Sequence, residues 1–194
     1  SRIDADLERI YKELGAPPLW KREPGFATLV YIILEQQVSL ASARAAFQKL
    51  DQAIQPLTPQ TFLTLNDAQL KAIGFSRQKM GYCRNLAEAI RTHEFDLDHI
   101  SMLEDTSARA ALMSLKGIGV WTADIYLMEA LLRPDIWPIT DLALATGVQE
   151  LKGLSNRPSQ VELEHMAASW KPWRAVAARL IWASYLHKRN NYHP

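Results

Sequence analysis

Apolar residues recur at three- and four-residue spacing along almost the whole chain, and no other feature limits the fold as strongly. The pattern holds over 4–14, 27–35, 40–50, 60–72, 77–92, 105–115, 120–132, 142–151, 160–170 and 172–187. Convincing period-two alternation, the mark of a half-buried strand, is missing. The stretch "TLVYIILEQQV" is rich in β-branched residues, but its helical neighbours make it a buried helix. Punctuation agrees with this division. Thr58-Pro59 and Lys171-Pro172 put proline where helices begin. Ser159 with Glu162 reads as a capping box, and Gly15 and Gly74 read as helix stops. The expectation is an all-α protein of about ten helices.

Composition narrows the class. Hydrophobic residues make up 48% of 194 residues, enough for one domain or for two small lobes sharing a core. A single cysteine, Cys83, excludes an intrachain disulfide framework and any all-cysteine zinc or iron–sulfur site within one chain. An intracellular protein follows as the expectation, cytoplasmic or at the nucleoid if bacterial. The start, "SRIDADLERIYKELG", reads as an amphipathic helix and not as a signal peptide. No apolar run reaches the roughly 18 residues that a membrane span needs.

The formal net charge of +1 does not advertise a nucleic-acid binder, but the distribution is uneven. From His165 onward there are five Lys/Arg (Lys171, Arg174, Arg179, Lys188, Arg189) and no Asp or Glu. From Lys71 to His93 five more (Lys71, Arg77, Lys79, Arg84, Arg91) stand against Glu88. These segments are either two ordinary solvated helix faces or the lining of one basic surface.

Within this helical pattern "LKGIGV", Leu115 to Val120, puts two glycines between two helices. Glycine costs a helix about 1 kcal/mol relative to alanine, so the pair marks a tight turn or a close approach. Such a turn presents the free N–H groups and positive dipole end of the second helix to an anion such as phosphate. The plainer alternative is a simple helix–helix turn.

The longer string "LKGIGVWTAD" resembles the helix-hairpin-helix motif of a DNA glycosylase superfamily. Four further stretches extend the resemblance in order over roughly 25–187: "ILEQQVSLASA", "IGFSRQKMGYCRNLAEAI", "WPITDLAL" and "WKPWRAVAARLIWASYL". The last looks like the alkylation-repair branch, the 3-methyladenine DNA glycosylase II type. The resemblance implies a two-lobed helical fold with the catalytic cleft between lobes. Residues 26–131 would form the lobe carrying the hairpin (about 115–120), and 1–25 plus 132–194 the other. It implies a monomer acting on double-stranded DNA that contains alkylated bases, with no membrane association. No cofactor and no iron–sulfur cluster is expected. A monovalent cation, Na+ or K+, would sit at the hairpin through backbone carbonyls of Leu115, Gly117 and Ile118.

Site residues carry over position by position. Asp141 lies 22 residues after Gly119, where the superfamily keeps its essential aspartate. Pro138 and Thr140 suggest a helix starting near it, so the local alternative is a capping residue. A carboxylate there would stabilise the oxocarbenium-like sugar formed as an N-glycosidic bond breaks. Trp121 stands where relatives that also cut the DNA backbone carry a Schiff-base lysine. The resemblance is therefore to the monofunctional type, which releases a base and leaves an abasic site.

Trp121 and Trp182 match aromatics of the base pocket, and their faces would attract cationic N3- or N7-methyl purines by ~0.5–2 kcal/mol; otherwise both are core. Gln37 matches the wedge that fills the gap left by a flipped base, or is a polar loop residue. Lys116, Gly117 and Gly119 would bind DNA phosphate. Lys116 replaces the proline usual at the start of the hairpin, and "DLALATGV" lacks the basic residue many relatives carry after the aspartate. Two rival readings remain at this level: a glycosylase for oxidised, deaminated or mismatched bases, and a non-catalytic helix-hairpin-helix module.

Overall fold

A computed structural model describes residues 4–189. Among these residues there are twelve α-helices and no strand. The helices are α1 (Ala5–Leu14), α2 (Phe26–Glu35), α3 (Leu40–Ala53), α4 (Pro59–Leu63), α5 (Asp67–Ile73), α6 (Arg77–Arg91), α7 (Leu97–Met102), α8 (Asp105–Met113), α9 (Val120–Ile125), α10 (Leu142–Lys152), α11 (Gln160–Ala167) and α12 (Arg174–His187). A π-helical turn, Tyr126–Ala130, continues α9, and a 3-10 turn, Ala168–Trp170, continues α11. The chain divides into two compact units, 22–131 and the remainder formed by 1–21 with 132–194.

In the unit 22–131, α2 is the central element. Leu29, Val30, Ile32, Ile33 and Leu34 are each no more than 2% exposed. The helix packs against α3, α6 and α9. Its β-branched residues have modest helix propensity, but burial of most of the helix outweighs a few tenths of a kcal/mol per residue. Gly25 caps its start at φ 138°, and the Gly25 N–H donates to Tyr126 Oη at 3.0 Å. At the other end, Arg22 bridges Glu35 (3.0 Å) and Glu129 (2.6 Å), and its guanidinium lies 4.8 Å from the Tyr31 ring centre. Two buried carboxylates are thus shared by one cation, which the low-dielectric interior requires.

In the other unit, α12 packs against α1 and α10. The α10 crossing is close because Gly147 has no side chain; a Cβ there would lie 2.6 Å from Ile181 Cγ2. Asp4 caps α1 by accepting from Asp6 N at 3.0 Å, and Lys152 Nζ lies 2.9 Å from its carboxylate. The Trp170 indole N–H also donates to Asp4, at 3.2 Å. Burial alone would raise this carboxyl's pKa; the Lys152, Trp170 and Asp6 hydrogen bonds outweigh it and hold the group below its ordinary value of 3.8.

The structure departs from the periodicity at four places. The expected helix 60–72 is two helices, because Asn66 and Gln69 form a capping box that restarts the chain at Asp67. The six-residue α7, capped by Asp96, is too short to show a period. The stretch 120–132 holds a π-helical turn, where Leu131 N donates to Tyr126 O at 3.2 Å. Pro172 is not a first helical residue: Trp173 caps α12, which begins at Arg174.

Candidate functional site

The hairpin between α8 and α9 is braced by the salt bridge of Arg109 to Asp124, 2.6 Å, with the aspartate 1% exposed. Ile118, 4% exposed, anchors the turn in the core, and its N–H donates to Leu115 O at 3.1 Å. The two glycines have different reasons. Gly117 sits at φ 97°, and a side chain there would collide with the Tyr82 ring. A non-glycine residue pays roughly 1–2 kcal/mol for such a backbone before any clash. Gly119 has extended backbone that any residue adopts, and an added Cβ would meet no atom within 4 Å. It caps α9 without a side-chain hydrogen bond and is exposed. Nothing inside the unit demands glycine at 119. Lys116 is exposed beside it, and Trp121, in the first turn of α9, is part-buried.

The loop after α2 is tied to this hairpin. Gln36 Nε2 donates to Gly117 O at 2.9 Å and to the buried Thr122 Oγ1 at 2.9 Å. Lys79 Nζ donates to Leu34 O at 2.7 Å, closing the carboxyl end of α2. Burial depresses the pKa of this lysine. Gln37 follows at φ 56°, left-handed and exposed, before Ser39 caps α3. Left-handed conformation is uncommon for residues other than glycine and concentrates at functional positions.

In the other unit, Asp141 is the N-cap of α10. Its Oδ1 accepts from Leu144 N at 2.6 Å and from Trp182 Nε1 at 3.1 Å. The Asp141 N–H donates to Pro138 O at 2.9 Å. The carboxylate is thus part of a helix start, in the favourable field of the dipole, with an indole N–H on the same oxygen. Trp182, matched to the base pocket by resemblance, touches the aspartate itself. It also meets Trp20 edge-on, ring centres 6.2 Å apart. Trp20 is held at φ 46°, next to Leu19, whose carbonyl accepts from Arg179 Nε at 3.1 Å.

The structure therefore joins Asp141 with Trp182 in one unit, and Gln36, Gly117 and Thr122 in the other. Gln36, Trp20 and Tyr82 are additions to the residues singled out from sequence, and Lys79, read there only as part of a basic segment, has a specific partner in Leu34 O. Gln36, Lys79 and Tyr82 lie inside the stretches that carry the resemblance. Trp20 had no signal, because its partner is far away in the chain. Among the described residues no group of three or more His, Cys, Asp or Glu is placed to hold a metal ion.

A helical scaffold with a glycine hairpin and an aspartate-capped helix downstream defines a class, and comparison with known proteins supplies it. The family model for the HhH-GPD superfamily of base excision DNA repair proteins matches residues 30–174. The chain belongs to that superfamily. It is 27% identical to DNA-3-methyladenine glycosylase 1 of Schizosaccharomyces pombe, over 94% of this chain and 83% of that protein. It is 24% identical to a DNA-3-methyladenine glycosylase of Bacillus subtilis, over 93% of this chain and 68% of the relative. A second, candidate glycosylase of B. subtilis is also 24% identical, and there the chain spans 65% of the relative's length. Among solved structures, the S. pombe 3-methyladenine DNA glycosylase in complex with abasic DNA superposes with a TM-score of 0.89 at 24% identity, covering 100% of this chain and 96% of that one. A Bacillus halodurans DNA-3-methyladenine glycosidase gives 0.80 at 26% identity, covering 97% and 88%.

Proposed function

We propose that this protein is a monofunctional DNA glycosylase that excises cationic N3- and N7-methyl purines from double-stranded DNA and leaves an abasic site. The observation that carries the reading is Asp141: it stands in register with the superfamily's aspartate and caps α10, with Leu144 N and Trp182 Nε1 on one carboxylate oxygen. In the reaction the bond from C1′ to the purine nitrogen breaks and its electron pair leaves with the base. The base departs neutral, because it was cationic, so a strong general acid is not required. Positive charge develops on the sugar, the Asp141 carboxylate stabilises it, and water adds at C1′ with loss of a proton.

The other roles follow from the residues. The open start of α9 at Gly119, with Lys116 beside it, receives a backbone phosphate and reads no sequence. Trp121 and Trp182 supply aromatic faces for the flipped base. Gln37 fills the gap and hydrogen-bonds the orphaned partner base. Trp121 occupies the lyase lysine position, so no Schiff base forms and the strand stays intact. The carbonyls of Leu115 and Gly117 each accept one hydrogen bond and keep a second lone pair. With Ile118 they would hold a monovalent cation, which adds positive charge at the phosphate. The protein works as a monomer, without another cofactor; among the described residues no helix is long and apolar enough to cross a membrane.

Incubation with methylated genomic DNA, followed by chromatography of the released bases, tests the proposal. Release of 3-methyladenine and 7-methylguanine is the expected result. Release of oxidised or deaminated bases from lesion oligonucleotides, with none from methylated DNA, would reassign the substrate. Binding to DNA without release of any base would make the chain a non-catalytic module.

A further inference from the structure

We infer that Gln36 is a positioning residue that couples gap filling by Gln37 to phosphate capture by the hairpin. The inference rests on the reading of Gln37 as the residue that enters the gap left by the flipped base. Gln36 and Gln37 are neighbours in the sequence but do different work. Gln37 is exposed and held at φ 56°. Gln36 points its amide away from the loop and into the hairpin, with Nε2 at 2.9 Å from both Gly117 O and Thr122 Oγ1. Gly117 precedes the open start of α9 by two residues, and Thr122 lies in the first turn of that helix. One side chain therefore bridges the loop that carries the wedge and both sides of the α9 start.

Helix α6 reinforces the same junction from behind. Lys79 binds the last turn of α2 through Leu34 O at 2.7 Å, and Tyr82, one turn on, packs its ring against Gly117. The left-handed backbone at Gln37 is unfavourable by itself and persists only where its surroundings impose it. Gln36 on one side and the Ser39 cap of α3, with Ser42 N donating to Ser39 Oγ at 3.2 Å, on the other impose it here. A loop fixed to the phosphate-gripping turn presents its wedge in place as soon as the backbone is held. A loop without that tie must be ordered at each flipping event, and the cost falls on the flipping step and not on the initial encounter.

The decisive experiment is a double-mutant cycle of Gln36→Leu and Gln37→Ala. It is read by single-turnover excision of 7-methylguanine, by fluorescence of 2-aminopurine placed next to the lesion, and by affinity for undamaged duplex. Gln36→Leu should lower the single-turnover rate and the flipping amplitude ~10- to 30-fold, the scale of two lost hydrogen bonds, with undamaged-duplex affinity within about threefold of the parent. Its loss should be strongly non-additive with that of Gln37→Ala, because one acts through the other. Additive losses, or a fall in undamaged-duplex affinity as large as the fall in rate, would overturn the inference and leave Gln36 an ordinary packing residue. If Gln36→Leu does not fold, Thr122→Val removes one of its two partners and should give a smaller loss with the same non-additivity. If the parent releases no base from methylated DNA, the functional proposal fails separately. The cycle is then read on abasic duplex, where additive losses of affinity would again overturn the coupling.

Discussion

The helix that begins at Val120 and the one that begins at Leu142 satisfy their first N–H groups in opposite ways. Helix α9 starts on Gly119, which offers no capping side chain and whose missing Cβ leaves open space. Helix α10 starts on Asp141, whose own carboxylate takes Leu144 N at 2.6 Å and an indole N–H at 3.1 Å. One helix start has no side-chain cap, and under the proposed function it takes an anion from DNA; the other carries its anion built in. Substitutions should therefore separate them: at the open start they change affinity, and at the filled start they change chemistry.

The largest effect is expected at Asp141. Asparagine caps a helix as well as aspartate does, and its neutral amide oxygen can take the place of the carboxylate oxygen that accepts from Leu144 N and Trp182 Nε1. Asp141→Asn should melt within a few degrees of the parent and still bind abasic DNA, yet lose ~100-fold or more in single-turnover excision. Near-parental excision would remove the proposed mechanism. Gly119→Glu places a carboxylate where phosphate is proposed to bind, at a position where an added Cβ meets no atom within 4 Å. It should weaken binding ~10-fold or more, equally for all sequences, with an unchanged melting temperature. Gly117→Ala should instead destabilise the fold by ~1–2 kcal/mol or more, because of its φ and the Tyr82 ring. Calorimetry beside titration distinguishes the two glycines, and equal behaviour would show that they have the same role.

Trp182→Phe keeps an aromatic face but removes the donor to Asp141. Excision of charged and neutral bases should fall alike, ~10-fold, the scale of a hydrogen bond to a charged group. Trp121→Ala should reduce excision of cationic purines more than that of a neutral base such as hypoxanthine. The abasic product strand should stay whole until alkali or heat is applied, and borohydride should trap no protein–DNA adduct. Equal losses across both classes of base in Trp121→Ala would make this tryptophan a packing residue.

The smallest effect concerns the second acid-capped helix start of the unit that holds Asp141. Asp4 also accepts from an indole, Trp170 Nε1, but is tied to Lys152 as well. Its pKa is lowered in the folded state, so its contribution is present above the unfolded value and lost as pH falls through the folded one. Melting temperature should drop as acid is added below about pH 5, and Asp4→Asn should flatten that dependence by less than ~1 kcal/mol, the group being partly solvated. Excision at neutral pH should be unaffected. A loss of excision matching that of Asp141→Asn would show that acidic caps in this unit are not functionally distinct.

Much of this was legible in the residues. Helical periodicity dictated an all-α chain because each amphipathic or apolar stripe must bury its face, and the spacing of apolar residues is the record of that demand. The glycine pair, the Ser159 cap and the position of Asp141 are local signals, each set by the backbone within a few residues. What lay beyond the sequence are the contacts between distant segments. That a side chain at Gly117 would meet Tyr82 as well as a strained backbone, while one at Gly119 would meet nothing, depends on a ring brought in by α6. That Trp182 donates to Asp141, that Trp20 packs on it, and that Gln36 and not Gln37 grips the hairpin are outcomes of tertiary packing. Local sequence determines which helices can form and where they start, because propensity and capping act over one or two turns. Which polar groups meet is decided only when burial forces each donor and acceptor to find a partner across the fold.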